Sequence, residues 1–313
     1  MTVPVIEFAG AIKLYGEKRI GPVQFSVDQG EIFGFLGPNG SGKTTCIRML
    51  LGLVRPSAGK VMLRGLDPLR NHTEALAGVG YSPELPNIQT FMTPREVLAL
   101  TASEIGLNSA VRAESDRVLE EVGIIEYGDT KVGRMSKGMV QRLSVAQALL
   151  GSPQTLVMDE PMIGLDPAGT AHLREAFREY GRKGGTILMS SHMMSEVEDI
   201  CTSIGLIHSG RLLFKGTPKQ MVEQVLGGVE VRVEAKELTA GTVDAVRKVE
   251  GVLGVETVPG GLQVKIRHGV EVRPAIARMI IESGAELLTM REGERMLEKA
   301  YIEALRNSVD KAQ

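Results

Sequence analysis

The stretch Gly37-Pro-Asn-Gly-Ser-Gly-Lys-Thr-Thr45 narrows the possible folds of this chain more than any other feature. Gly37, Gly42, Lys43 and Thr44 stand at the fixed places of G-x-x-x-x-G-K-[ST], the spacing of a loop that wraps phosphates. Glycine lets successive backbone N–H groups turn toward an anion with no Cβ in the way, and a following helix adds its positive N-terminal end. Pro38, Asn39, Gly40, Ser41 and Thr45 complete this cradle. Lys43 can reach β- and γ-phosphates as a point charge, and the Thr44 hydroxyl is a hard oxygen ligand suited to Mg²⁺. The flanks agree: Glu31–Leu36 reads as a buried strand and Thr44–Leu51 as a helix. An α/β domain with a nucleotide site is the resulting expectation.

A chain of 313 residues has room for about two such domains. No apolar run approaches the roughly 20 residues that span a bilayer, and the N-terminus lacks the basic-then-apolar order of a signal peptide, so a cytoplasmic location is expected. A net charge of −2 without a long basic run gives no general pull toward nucleic acid. Cys46 and Cys201 have no metal-ligand spacing and read as buried apolar residues, and five scattered histidines argue against zinc.

In chain order, residues 3–28 alternate like strands, and Tyr15 lies on a segment able to fold back over the phosphate loop. Its ring can stack on a nucleobase; half-buried packing is the alternative. Val79–Glu84 is a strand running into a loop, after which strands stop and helices near 95–105, 109–122 and 137–151 form an insert over about 85–151. Thr93-Pro-Arg-Glu96 carries the signal of a capping box. Strands resume at Thr155–Glu160, whose apolar run delivers two carboxylates to a strand end where α/β folds bind ligands. Strand alternation expects Asp159 and Glu160 on opposite faces, with Asp159 holding Mg²⁺ and Glu160 deprotonating an attacking water. A turn at Gly164–Pro167, a helix over 168–181, a buried strand at Thr186–Ser191, a closing hairpin and a helix at 218–226 complete this domain. His192, just after its strand, can reach a γ-phosphate or remain a solvated loop histidine.

At Met135-Ser-Lys-Gly-Met-Val-Gln-Arg142 the chain resembles the signature motif of the ATP-binding cassette (ABC) ATPases. Residues 37–44 then look like that family's Walker A, 155–160 its Walker B, 164–167 its D-loop, His192 its switch histidine and Tyr15 its adenine-stacking aromatic. The resemblance covers residues 3–225 and implies ATP as the nucleotide, Mg²⁺ as its ion and a head-to-tail dimer in which Ser136 and Gly138 of one subunit meet the γ-phosphate held by the other. Lys137 stands where the commonest form has Gly, Met139 where it has Gln, and Glu84 where a loop Gln is usual. A carboxylate at Glu84 still offers oxygen to Mg²⁺ but donates no hydrogen bond at neutral pH, and loop surface is its alternative role. These departures look like the subgroup that powers ABC-2 type exporters.

From Gly227 the pattern β-α-β-β-α-β reads as a ferredoxin-like unit, followed by an amphipathic helix at 296–305. The expected architecture is thus a P-loop ABC ATPase domain with a helical subdomain (1–226) and a small α+β accessory domain (227–313). The function so implied is the ATP-hydrolysing subunit of an exporter, a dimer held at the cytoplasmic face of the membrane by a separate transmembrane permease. A homodimer is expected over a heterodimer. An importer ATPase, or an ABC ATPase acting on nucleic acid or ribosomes, are the alternatives.

Overall fold

The computed structural model describes residues 3–267, 269–292 and 296–310. The chain divides into two compact units, Met1–Gly216 and Thr217–Gln313.

The first unit begins with a hairpin, β1 (Ile6–Tyr15) and β2 (Lys18–Val27), followed by β3 (Ile32–Leu36), α1 (Lys43–Leu50) and β4 (Ala58–Leu63). These strands make two sheets: β2-β1-β4 is antiparallel, whereas β3 enters a six-stranded sheet. After α2 (His72–Leu76) and β5 (Val79–Ser82) come α3 (Pro94–Glu104), α4 (Val111–Glu121) and α5 (Lys137–Leu149). Then follow β6 (Thr155–Met158), α6 (Pro167–Arg182), β7 (Thr186–Ser191), α7 (Met194–Glu198), β8 (Ser203–His208) and β9 (Arg211–Gly216). The larger sheet runs β5-β6-β7-β3-β8-β9, parallel except for the last strand. Its central strand β3, Ile-Phe-Gly-Phe-Leu, is buried at every position, as a parallel strand covered on both faces must be. Phe8, Phe25, Phe33 and Phe35 stack between the two sheets, with ring centroids 4.7 Å apart for Phe8–Phe25 and 4.9 Å for Phe25–Phe33.

All parallel strands therefore end on one edge, and the loops that follow β3, β6 and β7 meet there. The helical insert hangs between β5 and β6. Thr93 caps α3, accepting from the Glu96 N–H at 3.3 Å while Glu96 accepts from the Thr93 N–H at 2.8 Å. Arg95 then joins α3 to α4 and the loop beyond it, reaching Asp116 at 2.7 Å and Asp129 at 2.6 Å. The buried Ser82 and Ser144 hydroxyls, 2.8 Å apart, tie α5 back to the sheet.

The second unit opens with α8 (Pro218–Leu226), which packs on the final helix α11 (Met296–Asp310). Between them lie β10 (Val229–Lys236), α9 (Ala240–Arg247), β11 (Val252–Val258), β12 (Gly261–Ile266), α10 (Arg273–Glu282) and β13 (Glu286–Glu292). The sheet order β11-β12-β10-β13, antiparallel throughout, is the ferredoxin-like arrangement of a split βαβ unit. Val231, Val233, Leu262, Val264, Ile276 and Ile280 fill its core. The sequence reading placed the 218–226 helix at the end of the first domain. It belongs instead with the second unit, because its apolar stripe has α11 to cover.

Candidate nucleotide site

The loop between β3 and α1 takes a conformation that depends on its glycines. Gly42 has φ +114°, a conformation L side chains rarely adopt, and a Cβ there would come 2.9 Å from Ile20. On Gly37 a Cβ would sit 2.2 Å from the Ile207 carbonyl oxygen. Any side chain at either position would close the loop against its neighbours. The Ser41 hydroxyl is buried with no hydrogen-bond partner among the described residues, the condition of a group waiting for an external oxygen. A cleft of about 310 Å³ opens over the loop, lined by Asn39 to Thr45 and by Lys18, Ile20, Glu84 and Glu160.

Lys43 is 5 % exposed and folded into its own loop, donating to the Gly37 carbonyl at 2.6 Å. Its ammonium also stands 3.1 Å from Glu160 Oε1. That ion pair is not an aligned hydrogen bond, since Oε1 is buried without a hydrogen-bond partner. The other Glu160 oxygen, Oε2, is 2.8 Å from His192 Nδ1. One carboxylate thus joins the phosphate-loop lysine to the histidine after β7.

Asp159 and Glu160 do diverge, but not by strand alternation. β6 stops at Met158, and the turn is made by Glu160 itself, which has φ +51°. A non-glycine residue held there stores on the order of 1–3 kcal/mol of strain, and such residues cluster at functional sites. Asp159, 1 % exposed, accepts from the Ser190 hydroxyl at 2.6 Å and lies outside the cleft lining. The Glu160 backbone N–H donates to that same hydroxyl at 2.9 Å. Thr44 and Glu84 both line the cleft, an oxygen-only set that suits Mg²⁺. Among the described residues no group of three or more His, Cys, Asp and Glu forms a cage for a metal, so phosphate and water oxygens would have to complete the shell.

Tyr15, Ser136 and Gly138 are outside the cleft lining, as are Gly37, Pro38, Asp159 and His192. The Tyr15 ring is 46 % exposed at the end of β1, with the Lys13 ammonium 5.2 Å from its centroid; its strand partner Lys18 is the residue that lines the cleft. Ser136 is the exposed N-cap of α5, accepting from the Met139 N–H at 3.2 Å, and Gly138 lies in the first helical turn. Neither Ser136 nor Gly138 faces this chain's own cleft, but both sit where a helix N-terminus favours an anion. Lys18, Ser190 and Glu196 escaped the sequence reading. Glu196 accepts from the Ser191 hydroxyl at 2.6 Å, and its burial pushes its carboxyl above the usual carboxylate range.

The family model for ABC transporters matches residues 20–163. The bacitracin transport ATP-binding protein BcrA of Bacillus licheniformis is 40% identical over 211 residues, which are 67% of this chain and 68% of that protein. This chain belongs to the ABC transporter ATP-binding proteins. The Nod factor export ATP-binding protein I of Burkholderia orbicola is 38% identical over 229 residues, 72% of this chain and 75% of its own. A solved ATP-binding subunit of an ABC transporter shares 31% identity with a TM-score of 0.64, covering 71% of this chain and 93% of its own. An ATP-binding cassette solved in its ADP conformation, at 23% identity and a TM-score of 0.60, shares the fold. The ABC ATP-binding subunit binds and hydrolyses ATP, and subunits of this family work with transmembrane permease components. Among its described residues no helix is long and apolar enough to cross a membrane.

Proposed function

We propose that this chain is the ATPase of an ABC-2 type exporter, using MgATP and working as a homodimer docked on a separate permease at the cytoplasmic face of the membrane. The observation that carries the reading is the junction of Lys43, Glu160 and His192 at the mouth of a phosphate-binding loop. Lys43 exchanges Glu160 for phosphate oxygens on nucleotide binding, which releases the carboxylate. Glu160 then accepts a proton from the attacking water, and His192 holds the carboxylate or the γ-phosphate in place. Thr44, Glu84 and Asp159 would hold Mg²⁺ directly or through water, an ion that neutralises charge on the β- and γ-phosphate oxygens when bound. Tyr15 stacks on the adenine. Ser136 and the Gly138 N–H belong to the site of the opposing copy, in keeping with their absence from the lining of this chain's own cleft. The relative named for bacitracin transport favours a transporter and the one named for Nod factor export favours export, while cargo choice rests with the permease.

The test is to tag the Glu160→Gln protein, solubilise native membranes with ATP and Mg²⁺ and identify what co-purifies. A multi-helix membrane protein is the expected partner. Recovery of ribosomal or other soluble partners alone would overturn the exporter reading.

A further inference from the structure

Ser190-Ser191-His192, where β7 ends, act at one place, and two of them are hydroxyls with no assigned role. Ser190 is fully buried, so its oxygen has only protein partners. A hydroxyl has one proton to donate and two lone pairs. Ser190 gives its proton to Asp159 Oδ1 at 2.6 Å, a short bond to a carboxylate. That fixes the rotor and leaves a lone pair aimed at the Glu160 N–H, which donates at 2.9 Å. The amide so held is that of the residue at φ +51°. Asp159 therefore orients Ser190, and Ser190 keeps Glu160 in a backbone conformation it would otherwise leave.

The neighbouring hydroxyl does a parallel job for the histidine. Ser191 donates to Glu196 at 2.6 Å and accepts from the Met193 N–H at 2.9 Å, which pins the turn carrying His192. Its imidazole reaches the far oxygen of the same Glu160 carboxylate. Backbone and side chain of Glu160 are thus held from the end of one strand, β7.

We propose that Ser190 is a positioning residue for ATP hydrolysis, holding the Glu160 backbone so that its carboxylate meets the attacking water. This rests on Glu160 being the base. The Ser190 hydroxyl itself touches no substrate, so its loss should change turnover and leave nucleotide affinity in place.

The experiment uses the full-length protein with three substitutions, Ser190→Ala, Ser190→Thr and Glu160→Gln, measuring MgATP turnover, equilibrium ADP affinity and melting temperature for each. Ser190→Ala is expected to lower kcat about 10–100-fold, the range of a slightly misplaced catalytic group, with ADP affinity within about twofold of wild type. Ser190→Thr, which keeps the hydroxyl, should recover turnover to within about threefold where the added methyl is accommodated. If the Thr protein does not fold, the split between kcat and affinity in the Ala protein decides alone. Wild-type turnover in Ser190→Ala, a parallel loss of ADP affinity, or a folded Thr protein as slow as Ala would each overturn the proposal. Glu160→Gln separates the two levels: if it still turns over ATP, Glu160 is not the base; if it is inactive while Ser190→Ala is not, only the positioning role fails.

Discussion

The two units of this protein bury polar groups in opposite ways. In the first, Ser41, Lys43, Asp159, Glu160, Ser190, Ser191 and Glu196 are all buried, and they lie at the end of β7 and in the loops and helix starts that follow β3, β6 and β7. In the second, Thr242 is the buried polar side chain among the described residues, and it is satisfied locally by Thr239 at 2.9 Å and Ser283 at 2.8 Å. Burying an ionised group costs several kcal/mol unless it is paired, so a cluster of them persists only where something gains from it. The first unit keeps polar atoms dry to act on a ligand. The second keeps an apolar core, Val231 to Ile280, that holds a shape.

If that contrast is right, substitutions in the polar cluster that follows β3, β6 and β7 should change chemistry, and polar substitutions away from it, in either unit, only stability. The largest effect is expected from Glu160→Gln, which should cut ATP turnover by at least about 100-fold while nucleotide affinity is kept or improved, because Lys43 loses its carboxylate partner. Phosphate release and ADP titration on one preparation check both halves. Next comes Arg95→Ala, which unties α3 from α4 and should lower stability by about 1–2 kcal/mol in a denaturant titration. Its pH dependence has a definite sign. The Arg95 guanidinium holds the Asp116 carboxyl below its ordinary value of 3.8. The stabilisation is therefore complete above that value and lost as pH falls through the lower folded-state value, so wild type and Arg95→Ala should converge in acid. The smallest effect is expected from Thr242→Val, about 1 kcal/mol of stability with turnover and ADP affinity unchanged. A change in turnover there would break the comparison.

Much of this contrast is legible along the chain. The phosphate loop is a contiguous run whose glycine spacing is itself the pattern, and the Thr93 capping box is a four-residue pattern whose two hydrogen bonds both form. The βαββαβ order of the second unit follows from period and turn residues, as its sheet order bears out. What escaped reading depends on residues far apart in sequence. Ser190 matters because its hydroxyl meets Asp159 and the Glu160 amide about thirty positions away, and serine at the end of a buried strand carries no local mark of that. The positive φ of Glu160 is imposed by those partners, so alternation along β6 gave the right divergence of two carboxylates for the wrong reason. Lys18 enters the cleft only because β1 and β2 pair with Tyr15 opposite it. The helix at 218–226 shows an apolar stripe, but a stripe does not name the surface that covers it.

The most direct test of the account is equilibrium binding of ATP to the wild-type protein and to Lys43→Ala with Mg²⁺ present. Lys43 is buried, and its ammonium is the one cation seated inside the loop, among the described residues. One ATP per chain in wild type, with affinity at least about tenfold weaker in a folded Lys43→Ala protein, is the predicted result. Equal affinity in the two proteins would contradict the assignment of this cleft as the nucleotide site.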